Sequence, residues 1–262
     1  MADYLTHNPF TGKPYTAVKK YVAQFLGTHD GLANKTVVDL CCGDGVTAFI
    51  VQQLGGQVAT YDLIPDSCQL EQKPAYADVQ KPLPIADESV DVVILQEVIE
   101  HLPNQLFTLT EIFRILKPGG ELFLTTPSRS SIQARLSYLA FESEHLRHTP
   151  AGAVDCVWGS NDKDEKYYGH LFLVGNQSLQ ALGRIAGFKS FQLHKNTVGK
   201  TSIIFLPLLY PFIYAASLRA FRRDTRNKAH DSAYVQEKRA QFKLNVSLTN
   251  LTAKYLFMSF YK

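Results

Sequence analysis

Residues 35–45 read KTVVDLCCGDG, and the order of the first structural elements follows from them. The β-branched run at 35–41 is typical of a buried strand. Gly43 and Gly45 permit a tight turn, because glycine adopts backbone conformations that side chains disfavour. Residues 46–54 then predict a helix, which the next glycine pair closes. The stretch therefore predicts a strand, a tight turn and a helix in direct succession.

Strands and helices continue to alternate up to residue 126. The predicted strands occupy residues 57–62, 75–78, 90–96 and 121–126. The predicted helices occupy residues 14–27, 65–72 and 103–116, and Lys117-Pro118-Gly119-Gly120 is a stop signal that ends the last of them. Strands of this length that alternate with helices pack as a parallel sheet with helices on both faces.

The remainder of the chain is less regular. Residues 128–170 predict an irregular or partly helical excursion, followed by a helix at 177–186 and a strand at 188–194. An apolar and basic insertion occupies residues 199–250, and residues 255–261 predict the last strand.

The composition is that of an ordinary globular chain, with 262 residues, 45% of them apolar, and a net charge of +3. It excludes a disordered, collagen-like or small disulfide-rich protein. The charge is uneven, because residues 1–194 carry 15 basic and 21 acidic side chains whereas residues 195–262 carry 12 and 3. The basic C-terminal quarter suits an anionic partner such as a lipid head group, a phosphorylated substrate or nucleic acid, or it is simply a solvated helical face.

The four cysteines, Cys41, Cys42, Cys68 and Cys156, show no metal-ligand spacing. We therefore expect no metal ion and a reducing compartment. The N-terminus has neither the apolar core of a signal peptide nor the character of a transit sequence, so we expect a cytoplasmic protein.

Three aspartates, Asp39, Asp62 and Asp78, stand at the ends of successive predicted strands. Ligands of an open parallel sheet bind outside the carboxyl ends of its strands, so one ligand could contact all three. Asp62 is placed to accept hydrogen bonds from both ribose hydroxyls of a nucleoside, and Asp78 from an adenine amine. Each aspartate alone also fits a turn or a helix N-cap. Together with the glycine turn, they predict a nucleoside-binding site.

Four stretches carry longer motifs: VVDLCCGDG at 37–45, YDLIP at 61–65, YADVQKPLPIADESVDVVILQEVIEHL at 76–102 and ILKPGGELFLTTPS at 115–128. They resemble the successive motifs of class I methyltransferases that use S-adenosylmethionine (SAM). The branch they resemble most includes small-molecule and quinone-precursor enzymes. The chain departs from the family at Cys41, where the glycine turn usually opens with glycine.

The resemblance implies a Rossmann-like α/β fold, in which a doubly wound, seven-stranded, mostly parallel sheet has helices on both faces and an antiparallel last strand. It implies that Asp39 and the glycines surround the methionine part of SAM, that Asp62 binds the ribose and that Asp78 binds the adenine. Gln96 would lie near the sulfonium. The implied SAM-binding residues are Asp39, Cys41, Gly43, Gly45, Asp62, Leu63, Asp78, Val79 and Gln96.

On this basis we predict four segments. They are an N-terminal helical cap (1–30), the SAM-binding domain (31–198, with the excursion at 128–170), the apolar and basic insertion (199–250) and the final strand (251–262).

Methyl transfer from a sulfonium is an in-line displacement, which needs alignment and a cavity with little water but no covalent residue. An oxygen acceptor benefits from a base, and His101 and His170 are the candidates because histidine titrates near neutrality. His101 is alternatively a packing residue. We predict transfer to oxygen of a small or lipid-linked metabolite. Nucleic acid is disfavoured, because residues 96–99 read QEVI where base-methylating enzymes often have Asn or Asp, two prolines and an aromatic residue.

Residues 201–218 are apolar and free of charge, and arginines follow directly. Two internal prolines argue against a transmembrane helix. We predict peripheral membrane contact, or binding of a lipid-like acceptor, through residues 201–228. A buried lid helix and a dimer contact are the alternatives.

Two other functions share some of these features. An NAD(P)-binding oxidoreductase has the same sheet and ribose carboxylate, although the later motifs favour SAM. A catalytically inactive SAM-binding scaffold would keep the pocket and recruit a partner through the basic segment.

Overall fold

The computed structural model describes residues 2–15, 17–28, 32–143, 152, 157–160, 163–195, 197–228 and 230–262. The strands are β1 (Thr36–Leu40), β2 (Gln57–Asp62), β3 (Ala75–Tyr76), β4 (Val90–Gln96), β5 (Leu116–Pro127), β6 (Val157–Ser160), β7 (Lys163–Tyr168), β8 (Ser190–Leu193) and β9 (Tyr255–Tyr261). The helices are α1 (Ala17–Thr28), α2 (Val46–Gln53), α3 (Gln105–Ile115), α4 (Ile132–Phe141), α5 (Asn176–Ala186), α6 (Lys200–Thr225), α7 (Ser232–Asn245) and α8 (Leu248–Thr252). Cys156 lies outside the described residues.

The predicted seven-stranded sheet is confirmed, with the strand order β3-β2-β1-β4-β5-β9-β8. The pairs β1–β2, β1–β4, β2–β3 and β4–β5 are parallel, and β8–β9 is antiparallel. β4 forms the middle of the sheet because its apolar run is buried on both faces, and Val93, Ile94 and Leu95 are fully buried. The sheet therefore brings the carboxyl ends of β1, β2 and β4 to one edge.

The helix predicted at residues 65–72 is wrong. Only one 3₁₀ turn, Pro65–Ser67, is present there. The backbone N–H of Gln69 donates a hydrogen bond to the carbonyl oxygen of Asp44 in the glycine turn, at 3.1 Å, instead of to a preceding helical turn. A contact with the glycine turn has therefore replaced a local helix.

Residues 117–120, the predicted stop signal before a strand at 121–126, lie inside β5, which already begins at Leu116. Val90 pairs with Leu116 and Val92 pairs with Glu121, so the intervening residues form a bulge in a longer strand. Gly119 in this bulge has a φ of 80°. The helix does end before the stop signal, at Ile115, but pairing with β4 occurs on both sides of residues 117–120.

The chain divides into two compact units. The first comprises residues 1–126, 181–194 and 257–262 and holds most of the sheet. Its core includes Phe123, whose ring stacks on that of Phe25 with centroids 4.3 Å apart. The second comprises residues 127–180 and 195–256 and includes α4 and α6 to α8. Within it, the buried amides of Asn176 and Asn250 share a hydrogen bond of 3.0 Å.

Candidate active site

The glycine turn after β1 needs left-handed backbone at three positions. Cys41, Gly43 and Gly45 have φ values of 57°, 54° and 83°. Cys41 is therefore strained, because a residue with a side chain disfavours this conformation, and burial raises the pKa of its thiol. The amide of Cys41 is held by the carbonyl oxygen of Tyr61 in β2, at 2.8 Å.

The two glycines serve different purposes. A Cβ atom added to Gly45 would lie 2.7 Å from Cys68 Sγ and 2.8 Å from Leu70 Cγ, so packing against the following loop requires glycine. Among the described residues, a Cβ atom added to Gly43 would meet nothing within 4 Å beyond its own chain neighbours. The backbone at Gly43 thus faces open space that a ligand could fill.

Asp62 at the end of β2 is held rigidly by two backbone amides. Its Oδ2 accepts a hydrogen bond from Gly43 N–H at 2.9 Å, and its Oδ1 accepts one from Ile64 N–H at 2.8 Å. Each carboxylate oxygen keeps a further lone pair for another donor. The half-buried Leu63 follows directly.

Asp78 and Val79 follow β3 in an ordered loop. Asp78 Oδ1 accepts from the backbone N–H of Gln80 at 2.9 Å, and its Oδ2 lies 3.2 Å from Lys81 Nζ. Val79 is buried, and its carbonyl oxygen accepts a hydrogen bond of 2.9 Å from the hydroxyl of Thr108 in α3. The main chain of this loop is therefore fixed by α3.

Asp39 in β1 is almost completely buried, and its Oδ2 has no hydrogen-bond partner among the described residues. Burial raises the pKa of its carboxyl to about 7, an effect that Lys19 opposes and that Asp62 and Asp44 reinforce. An unpaired buried carboxylate costs free energy, which a cationic ligand group would recover.

Lys19, which was not predicted from the sequence, is a positively charged residue of this site. Lys19 in α1 donates a hydrogen bond from Nζ to Thr47 Oγ1 at 3.0 Å, and Gln96 Nε2 donates to the same oxygen at 2.8 Å. Thr47 is fully buried in α2. The helical spacing of residues 14–27 predicted α1 but carried no signal that one of its lysines reaches the ends of β1 and β4.

Two glutamates after β4 were also missed. Glu97 has a φ of 51°, and burial, together with the neighbouring Glu100 carboxyl, raises its pKa to about 8. Burial likewise raises the pKa of Glu100 to about 7, and Glu100 Oε2 accepts a hydrogen bond of 2.9 Å from Thr126 Oγ1. The available signal was the pair of glutamates three residues apart in QEVIEHL. Strongly raised carboxyl pKa values in one place are common at catalytic sites.

The two histidines predicted as bases lie in different units. His101 is half-buried at the end of the 3₁₀ turn Ile99–His101 in the first unit. His170 is exposed in the second unit. Their roles as bases stay predictions.

The sheet, its strand-end carboxylates and its glycine turn are those of the class I, SAM-dependent methyltransferase fold. The chain belongs to the methyltransferase domain family, whose profile matches residues 12–193.

Curated relatives and solved structures agree with this assignment. Ubiquinone biosynthesis O-methyltransferases from Xanthomonas euvesicatoria pv. vesicatoria (strain 85-10) and Stutzerimonas stutzeri (strain A1501) are 29% and 26% identical to the chain. These alignments cover 50% and 45% of the chain but only 59% and 55% of the relatives, so the chain matches less than two thirds of their length. SAM-dependent methyltransferases from Archaeoglobus fulgidus and Mesorhizobium loti share the fold, each with a TM-score of 0.52, at 12% and 13% identity. They align over 94% of this chain and over 93% and 98% of their own.

The residues of the first unit fit SAM. The cofactor carries an ammonium, a carboxylate, a ribose and an adenine. The unpaired oxygen of Asp39 suits the ammonium, and Lys19 suits the carboxylate. The fixed carboxylate of Asp62 suits the ribose, and there is open space at Gly43. Each group of the cofactor thus has a chemically suitable partner, with Asp78 for the adenine.

Proposed function

We propose that the protein transfers a methyl group from SAM to an oxygen atom of a small or lipid-like acceptor. The observation that carries the proposal is the group of buried, oriented carboxylates at the ends of β1 and β2 beside an open glycine turn. Transfer to oxygen, rather than to nitrogen or carbon, is supported by the relatives, which are named ubiquinone biosynthesis O-methyltransferases. The expected location is the cytoplasm, at a membrane surface.

In this proposal Asp39 binds the ammonium of the cofactor's methionine part and Lys19 binds its carboxylate. An ammonium group has three donors, and Thr47 uses one of those on Lys19, so others remain for a carboxylate. Asp62 accepts from the ribose hydroxyls, and Asp78 with Val79 holds the adenine. The ion contacts act in a desolvated site, where they are stronger than in water.

The bound cofactor supplies an electrophilic methyl group on a positively charged sulfur. The protein's part is to align the acceptor oxygen with that methyl group and to keep water out. Gln96, fixed by its hydrogen bond to Thr47, would border the sulfonium. The acceptor hydroxyl loses a proton, and His101, His170 and Glu97 are the candidates to receive it.

The base is identified by the pH dependence of kcat in His101→Asn, His170→Asn and Glu97→Gln variants. Loss of the true base lowers kcat by about a hundredfold and removes the acidic limb of the profile. The same assay in EDTA tests whether the reaction needs a metal ion. If EDTA abolishes activity and Mg²⁺ restores it, the reaction needs a divalent ion and the expectation of no metal ion is wrong.

The function is tested with SAM that carries a radiolabelled methyl group, incubated with lipid and aqueous cell extracts. We expect a labelled product in the lipid fraction. Asp62→Asn should abolish labelling and SAM binding, whereas Asp66→Asn, at an exposed position of the following 3₁₀ turn, should change neither.

Calorimetry on the same proteins distinguishes the rival functions. Binding of NAD instead of SAM would support an oxidoreductase. SAM binding without any labelled product would support a scaffold.

A further inference from the structure

Helix α6 exposes an unusually apolar surface. The helix is 26 residues long, and Ser202 is its one buried residue. Ile204, Leu208 and Phe212 are 70%, 63% and 69% exposed. α6 is long and apolar enough to cross a membrane, yet only 6% of its most apolar window is buried inside the protein. Contiguous exposed apolar surface of this kind marks a protein or membrane interaction site.

The exposed face changes from apolar to basic along the helix. Residues four apart lie on one face of an α-helix, so Ile204, Leu208 and Phe212 form a continuous stripe. Arg219, Arg222 and Arg226 follow at spacings of three and four residues and are also exposed. One face of α6 therefore has an apolar first half and a cationic end.

The packing of α6 favours a position in the membrane interface over a membrane span. α7 lies against α6 in the same unit, and the ring of Phe242 contacts those of Tyr214 and Phe221 at centroid distances of 5.5 and 5.9 Å. α7 carries Glu237, Lys238, Arg239 and Lys243. A spanning α6 would take these charges into hydrocarbon, or lose its packing against α7, and both are costly.

The positive charge in and after α6 favours binding to an anionic surface. Residues 219–243 contain eight lysines and arginines but only three acidic residues. Arginines near an anionic bilayer are attracted to its phosphates, and each strengthens partitioning about fivefold. A neutral apolar partner would not need this concentration of positive charge.

We propose that α6 docks on an anionic bilayer. Its apolar first half enters the boundary between head groups and acyl chains, and its arginines contact lipid phosphates. This proposal rests on the proposed function, because docking would bring the active site to a lipid-like acceptor that resides in the bilayer.

The test is flotation of the full-length protein with vesicles of phosphatidylcholine alone and of phosphatidylcholine mixed with phosphatidylglycerol. We expect binding to the anionic vesicles only, and release at high salt. Ile204→Ser should weaken binding roughly tenfold through lost apolar burial. The triple variant Arg219→Gln, Arg222→Gln, Arg226→Gln should weaken it roughly a hundredfold.

Matched controls come from other exposed positions. Ile185 in α5 is 69% exposed, nearly the same as Ile204, so Ile185→Ser removes equal apolar surface away from α6. A triple change of Lys13, Lys20 and Lys189 to Gln removes the same charge from exposed sites in the first unit. Both controls should bind anionic vesicles like the parent protein.

Three results would overturn the proposal. The first is no vesicle binding, or binding that the α6 variants do not weaken. The second is a dimer in sedimentation that Ile204→Ser dissociates, which would mean that a second copy covers the helix. The third is membrane association that resists both salt and alkaline carbonate, which would mean a spanning helix. Calorimetric SAM binding, measured without vesicles, reports on the proposed function separately.

Discussion

At the scale of single residues, the site depends on how buried charges are balanced. Asp39 is buried with an unpaired oxygen, and Lys19 is the cation that favours its ionised form. Neither side chain completes a direct ion pair among the described contacts. This arrangement suits a zwitterionic ligand, because such a ligand supplies one charge for each side chain.

We predict that Lys19→Met weakens SAM binding about tenfold, because a charge-assisted hydrogen bond to the cofactor's carboxylate is lost. Binding of 5′-methylthioadenosine, which lacks the amino-acid part, should be unchanged. Isothermal calorimetry with both ligands measures the difference. Lys20→Met, at the next and exposed position of α1, is the control. Equal losses for the two ligands would show that Lys19 supports the fold and not the carboxylate.

The raised pKa of Asp39, about 7, predicts that SAM binding depends on pH. The free protein holds a proton on this carboxyl below pH 7, and the cofactor's ammonium requires the ionised form. The dissociation constant should therefore fall about tenfold per pH unit as the pH rises from 5 towards 7, and then level off. Asp39→Asn should bind SAM weakly and without this slope. A parent protein with a flat profile would contradict the assignment.

At the scale of structural elements, the turn between β1 and α2 combines binding and packing within three residues. Gly45 is enclosed by the loop that replaced the predicted helix at 65–72, whereas Gly43 faces open space. Glycine is therefore required for packing at Gly45 and for ligand space at Gly43, and the two requirements can be tested separately.

We predict that Gly43→Ala lowers the free energy of unfolding by only about 1 kcal/mol, because its cost is confined to the left-handed backbone. It should nevertheless abolish SAM binding, since the new methyl group points into ligand volume. Gly45→Ala should cost about 3 kcal/mol, because backbone strain adds to overlap with Cys68 and Leu70. Denaturant unfolding and calorimetry measure the two effects. In the double variant with Cys68→Ala, part of the Gly45→Ala cost should be relieved, and full additivity would argue against the overlap.

At the scale of the whole molecule, cofactor binding and membrane docking involve different parts of the chain. The proposed SAM-binding residues lie between residues 19 and 96, and the docking residues lie in α6 and directly after it. Net charge has opposite signs in the two regions, with acidic excess before residue 195 and basic excess after it.

We predict that the triple arginine variant of α6 binds SAM like the parent protein but methylates an acceptor embedded in anionic vesicles at least tenfold more slowly. The loss should appear in kcat/KM for the vesicle-borne acceptor and disappear when the acceptor is presented in detergent. If the variant were equally slow with the acceptor in detergent, the arginines would affect catalysis itself, and a role limited to membrane contact would be contradicted.

The order of the strands up to residue 126, the strand-end aspartates and the glycine turn could be predicted from the sequence. They depend on local periodicity and on the rule that parallel strands present their carboxyl ends at one edge. The sequence did not predict three features. They are the loop at residues 65–72, the hydrogen bond from Lys19 to Thr47, and the raised pKa values of Glu97 and Glu100. They depend on burial and on contacts between residues far apart in the chain, and local spacing gives neither; the spacing of Glu97 and Glu100 showed only that two carboxyls are near each other in the sequence. The exposure of α6 belongs with them, because an apolar run of this length suits a core helix equally well until its neighbours are known.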